Sequence, residues 1–505
     1  MKKKITRILI FYLLFSVFYP SWSSGLYAKD EPPGPDSEFA IFQNQPEAQT
    51  NEDKEPAGLQ LDIVIQKQFF RSSIFFPEDN FAVGDSWIFT QFIRYTKNPQ
   101  IADNLKLNFD LGIQNTTNSR ALALKTLDGF QGAATTMSMV HPQFENELSF
   151  THFYTYELSM QWNLSKTGLQ GFFVDLGVLP VKYGNSFYRN PVSFFERYFP
   201  SRDYIQEYTS LSFPGVRLGY AGDLYTVDLL YIPDIPYDKI GNNGEGKKIS
   251  EYLYYLNQAN VLMLKNSLRL SPVQVDFYVF WENKSTRENH FGFGPEMNWR
   301  ILSVLNLDWQ IMISNGKETR RVARQSYSNS DYFTYDPVKN STQEFKIESL
   351  LSLNYSAHFS DTFNYDLSLG YYYNGFGLPK PEYDALTTSL VAAQNGYTSN
   401  DIVLKNLHMA FFSSVLAKYD LFSLNQHYIF FNVADIQSVE FVTWGLSAFL
   451  TLENLSFMPV VFINLNLNSY LKFYLQLAGS FGKAHSIFEE SPLAASINAG
   501  LQWNF

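Results

Sequence analysis

The sequence predicts an all-β chain: a transmembrane antiparallel β-barrel of about 18 strands, bounded by sixteen and twenty, with short periplasmic turns and long extracellular loops. Three observations carry this. Apolar and polar residues alternate with period two over most of residues 59–505. The alternating segments run to about ten residues or slightly more, enough for a tilted strand to cross the hydrocarbon layer, whereas strands of soluble domains run nearer five or six. The stretches between them alternate short and long through most of the chain, as the two ends of a barrel do.

Residues 1–28 read as a secretory signal peptide. Lys2, Lys3, Lys4 and Arg7 make a basic start, Ile8 to Tyr19 is an apolar run, and small residues follow in SSGLYA. The run is too short to be a spanning helix. Cleavage is expected after Ala28, with Gly25 the alternative because Leu26 is large for its place. The chain has no cysteine, which excludes disulfides, a lipidated cysteine and thiolate metal sites. Residues 29–58 hold eight acids, two lysines and five prolines. With few apolar residues to build a core, they are expected to form a disordered acidic periplasmic linker.

Residues 59–505 are expected to form the barrel. Strands are placed at 59–70, 86–96, 104–114, 147–163, 171–180, 214–222, 224–232, 259–271, 272–282, 292–301, 303–314, 344–357, 362–373, 402–415, 420–432, 439–452, 455–468, 470–481 and 493–505. In the third, Leu105, Leu107, Phe109, Leu111 and Ile113 share one face while Lys106, Asn108, Asp110 and Gly112 share the other. The last strand alternates the same way up to Trp503 and Phe505. Few helical spacings interrupt the pattern, and those lie in loops. A nineteenth segment conflicts with the even strand number of a single-chain bacterial barrel. The alternation of short and long connections fails after residue 402, which places the surplus strand between 402 and 481.

Lipid offers the backbone no hydrogen-bond partner, so a spanning sheet must close on itself. The apolar faces then meet lipid, and Tyr95, Tyr371, Trp444, Trp503 and Phe505, near strand ends, suit girdles at the two interfaces. The opposite faces supply lumen-lining candidates: Arg94, Lys106, Asp110, Arg217, Lys265, Arg269, Glu296, Arg300, Lys346 and Glu348, with Lys472, Glu157, Asp175, Asp228, Asp276, Asp308 and Asp366 on the same side. An Arg or Lys facing lipid at mid-bilayer would cost about 2–4 kcal/mol, which forces such residues inward. The two signs nearly balance. Arg189, Arg197 and Arg202 lie in the aromatic-rich loop 181–213, expected to fold inward or to meet a neighbouring subunit. The basic stretch Lys317 to Arg324 belongs to the loop 315–343, where it is expected to be solvated, with binding of lipopolysaccharide or attraction of anions as the alternatives.

The formal charge is −11, with +4 on residues 1–28 and −6 on 29–58, leaving −9 for the remainder. There is no nucleic-acid footprint. The seven histidines are scattered without metal-ligand spacing, and neither a GxSxG elbow nor a GxGxxG loop occurs. No enzyme, catalytic residue, metal or cofactor is expected.

Asn498, Gly500, Trp503 and Phe505 resemble the terminal signal that the barrel-assembly machinery recognises in the porins of Gram-negative outer membranes. The resemblance implies an outer-membrane location, with lipid and lipopolysaccharide as surroundings. A second stretch, Gly177 to Gly184 followed by Arg189, Asn190 and Pro191, is similar to a strand-to-loop passage of the phosphate-selective-like porins, and implies a substrate-steered channel, with a homotrimer among its assemblies. The loop 115–146 carries only Arg120 and Lys125, so the cationic lining of those porins does not transfer. The expected function is a channel for passive or weakly selective diffusion of small hydrophilic solutes or ions. A surface adhesin or structural barrel and a hydrophobic-substrate transporter are the alternatives; residues 29–58 are too polar for the plug that the transporter needs.

Overall fold

The computed structural model describes residues 58–70, 86–118, 149–181, 183–184, 190–192, 211–233, 259–284, 289–360, 363–397, 401–416, 424–435, 441–468, 470–490 and 493–505. The expected signal peptide, the linker up to residue 57, most of the loops 115–146, 181–213 and 233–258, and with them Arg189, Arg197 and Arg202, lie outside the described residues, and Gly58, expected to end the linker, opens the first strand.

Eighteen wall strands follow one another: β1 (Gly58–Phe70), β2 (Ser86–Lys97), β3 (Leu105–Asn118), β4 (Ser149–Asn163), β5 (Phe172–Val181), β6 (Leu211–Ala221), β7 (Tyr225–Ile232), β8 (Ala259–Leu270), β9 (Val273–Lys284), β10 (Asn289–Leu302), β11 (Leu305–Ser314), β12 (Lys346–Ser360), β13 (Phe363–Asn374), β14 (His427–Asp435), β15 (Val442–Thr451), β16 (Ser456–Asn466), β17 (Leu471–Gly479) and β18 (Leu493–Asn504). Each pairs antiparallel with its chain neighbours. β18 returns to β1 with Trp503 opposite Leu61, and the Phe505 amide donates to the Leu59 carbonyl at 2.8 Å. The sheet therefore has no edge, and every wall strand finds both ladders of partners. The three-residue strand Gln100–Ala102 pairs back on β3 inside a turn and is not part of the wall.

The surplus strand of the sequence reading is the one placed at 402–415, which is a helix. Helices α1 (Lys380–Tyr397) and α2 (Ile402–Leu416) occupy the connection between β13 and β14. In α2 the buried positions are Leu404, His408, Phe411, Phe412 and Val415, a spacing of four, three, one and three that fits a helix face and not a strand. Asp401 caps it, its carboxylate accepting from the amides of Val403 at 2.8 Å and Leu404 at 3.2 Å. The loop 315–343 also has structure. Strands Arg320–Tyr327 and Ser330–Pro337 form a hairpin whose turn residues, Ser328 and Asn329, both take positive φ, the tight turn that suits strand twist.

Along the wall strands large apolar side chains are exposed on one face, Trp87, Leu176, Phe277, Leu351 and Trp503 among them. The other face is buried and mixed. Near the turn end it is polar. Near the loop end, on β12–β17, it is apolar: Leu350, Tyr372, Tyr428, Phe430, Phe449, Met458 and Val460 join Tyr383, Leu386 and Leu390 of α1, Phe411 and Phe412 of α2, and Ile487 and Phe488 in one core. The helices and hairpin are thus held as a folded cap by the hydrophobic effect. A second core joins Leu179, Phe213, Leu230, Val261, Met263 and Phe280 of β5–β9 with Tyr183 and Val192.

Five inward glycines sit directly opposite aromatic residues: Gly219 and Phe173, Gly292 and Phe280, Gly370 and Phe430, Gly445 and Phe462, Gly500 and Tyr474. In each pair a Cβ on the glycine would overlap the ring. The missing side chain lets the ring lie flat along the wall, where it covers the bare backbone instead of filling the interior.

Candidate functional site

The inner face carries a band of hydrogen-bonded charges. On β2 and β3, Arg94 Nε donates to Asp110 Oδ1 at 2.7 Å, and a second guanidinium nitrogen reaches Asp110 Oδ2. Such a two-pronged pair fixes the guanidinium in plane with the carboxylate. On β5–β7, Arg217 donates to Asp228 from Nε at 2.9 Å and approaches Asp175 at 3.7 Å, with its guanidinium 5.5 Å from the centre of the Phe173 ring. On β8 and β9, Lys265 meets Asp276 at 2.6 Å and lies 5.3 Å from the centre of the Tyr278 ring. Both members of that pair are buried.

The band continues through neutral donors. Glu296 accepts from the Tyr278 hydroxyl at 2.6 Å and the Gln310 amide at 3.0 Å, and Gln310 also donates to Asn190 at 3.1 Å. Asp308 accepts from the amides of Asn298 at 2.7 Å and Asn354 at 2.5 Å. Glu157 and Asp366 each accept from a serine hydroxyl, Ser159 and Ser356, at 2.6 Å. Near the cap, Glu348 binds Lys317 at 3.0 Å and the Tyr372 hydroxyl at 2.7 Å.

Of the candidate residues, the structure brings together Arg94 with Asp110, and sets Arg217, Lys265 and Glu296 in neighbouring networks. Arg269 and Arg300 stand opposite Gln274 and Asn306 in the register, toward the turn end. Lys106 stands opposite Gln161. Lys346, at the loop end, lies 5.7 Å from the centre of the Phe376 ring. Sequence reasoning missed Tyr278, Gln310, Asn298, Asn354 and Asp62. Parity places all of them inward; a search confined to charged residues passes over the first four, the neutral donors that hold the carboxylates, whereas Asp62 was within its reach. The Lys317–Glu348 pair joins a loop to a strand, which no periodicity reports.

Outside the spanning strands, burial pushes the His408 imidazole below its ordinary range. The Arg324 guanidinium holds the Asp331 carboxyl low across the hairpin.

A closed antiparallel sheet with an apolar outer face and a charged, hydrogen-bonded inner face defines a transmembrane β-barrel. Among the solved structures to which the chain is similar are three proteins. They are OccAB4 of Acinetobacter baumannii (10% identity, 89% of this chain, 97% of that one, TM-score 0.44), OccK9 (OpdG) of Pseudomonas aeruginosa (9%, 89%, 97%, 0.45), and OccK2 (OpdF) of Pseudomonas aeruginosa in complex with glucuronate (8%, 89%, 97%, 0.44). The membrane barrel stands on the closed sheet itself. No family model and no curated protein matches the chain.

Proposed function

We propose that the chain is an outer-membrane channel of the porin kind, admitting small hydrophilic solutes or ions by diffusion. The observation that carries this reading is the strand count. Small barrels of eight strands fill with their own side chains, whereas those of sixteen to eighteen leave an aqueous channel. The charged band on β1–β13 is the lining that such a channel presents to its solutes, and Arg94, Lys106, Asp110, Arg217, Lys265, Arg269, Glu296, Arg300, Lys346 and Glu348 belong to it. The turns face the periplasm and the cap faces the exterior, against lipopolysaccharide. Residues 1–28 direct export, residues 29–58 remain in the periplasm, and Asn498, Gly500, Trp503 and Phe505 address the assembly machinery. The glucuronate in the OccK2 complex belongs to the solute class proposed, small and hydrophilic. A homotrimer is one assembly that this reading allows. No catalytic role is proposed. Liposomes holding the refolded protein should swell in isotonic small sugars and not in large oligosaccharides. No swelling with any solute would favour the adhesin reading.

A further inference from the structure

We propose that the inner wall prefers cations, both small inorganic cations and cationic amines, over anions. The inference rests on the channel reading above and adds the sign of the solute. Inward carboxylates occur on β1, β3, β4, β5, β7, β9, β10, β11, β12 and β13, whereas inward Arg and Lys are fewer. Among the described residues β14, β15, β16 and β18 carry no inward charge, so the field comes from one side of the barrel. Three of the bases, Arg94, Lys265 and Arg217, are ion-paired with carboxylates, Arg217 with two. Asp308 accepts at both oxygens, from the amide nitrogens of Asn298 and Asn354.

A second observation is independent of the charge count. Gln310 Oε1 and Asn498 Oδ1, on uncharged side chains 0% and 3% exposed, are buried acceptors with no hydrogen-bond donor, as are Asp62 Oδ1 and Asp175 Oδ1 among the carboxylates already counted. Such oxygens lie beneath the wall's surface, where they add negative potential along the path without touching an ion. An anion would need N–H groups instead, of which the Gln66 amide nitrogen on β1 is one. Low-dielectric walls focus such a field along the path, and rings of Asp and Glu favour cations in channels of other architectures.

The test is the reversal potential of the refolded mature protein in a planar bilayer under a potassium chloride gradient. The expected sign is that of a cation-preferring pore. Asp308→Asn, and separately the less buried Glu157→Gln, should each lower the potassium-to-chloride permeability ratio, by roughly twofold. Should Asp308→Asn fail to fold, the wild-type potential and Glu157→Gln still decide. An anion-preferring wild type, or folded variants with an unchanged ratio, would overturn the inference and leave the channel standing. Absence of any current would overturn both.

Discussion

Replacing Gly370 by alanine tests how the wall accommodates its aromatics. Gly370 on β13 faces Phe430 on β14 across the ladder, and Phe430 is 0% exposed. A methyl group at Gly370 would fall inside the ring. Carbon contacts settle near 3.5–4.0 Å, so the ring would have to move by roughly 2 Å. It has nowhere to go, being locked among Leu350, Tyr372, Tyr428 and Phe449 of the same core. Overpacking of this kind costs about 1–3 kcal/mol. Phe430→Ala alone should cost about 3–5 kcal/mol through the cavity it leaves. In that background the Gly370 change should cost less than about 0.5 kcal/mol, because the obstacle is gone, so the double-mutant cycle should show strong coupling. Ser368→Ala, on the same inward face, is the control. The readout is the urea midpoint of the barrel in detergent micelles, followed by the gel-mobility difference between folded and unfolded barrels. Additive losses, or a Gly370→Ala barrel as stable as the control, would refute the account of flat-lying rings.

Other outcomes follow from the same structure. Arg217→Ala leaves Asp175 and Asp228 on the wall without their shared cation and should destabilise the barrel by about 3–5 kcal/mol, measured by the same urea midpoint. Leu390→Ala removes a fully buried side chain of α1 from the cap core and should cost the cap about 2–5 kcal/mol, seen as protease cleavage within 380–416 while the wall strands stay protected. His408 is a base whose folded pKa lies below its unfolded value. The unfolded cap therefore binds the extra proton first, and cap stability should decline as pH falls below about 6.5. His408→Gln should flatten that dependence in a protease-protection series, and an unchanged slope would count against the burial argument. Deleting Phe505 removes the amide that donates to Leu59 and should lower the yield of folded barrel in the outer membrane, read from surface labelling.

Most of the wall was legible in the sequence because its physics is local. A strand's period of two places Lys106, Asp110 and Arg217 opposite the lipid face without any knowledge of their neighbours. The parity of the total strand number pointed to an error after residue 402, and α2 is that error. Ile402, Leu404 and Val415 read as β-formers in isolation, while the Asp401 cap and the 404, 408, 411, 415 spacing carried the helical signal. The pairing of charges was less legible. Lys265 meets Asp276 through the hairpin register, which one short turn sets, but Lys317 reaches Glu348 only because a loop folds back on the wall. The neutral donors were missed because an amide becomes part of a charged band only when a carboxylate lies opposite.

On the proposed function, a closed sheet of eighteen strands surrounds a conducting path. Adding the detergent-refolded mature chain to a planar bilayer in symmetric salt tests it most directly. Discrete, reproducible steps of ionic current are expected. A protein that inserts as a folded barrel yet never passes current would contradict it.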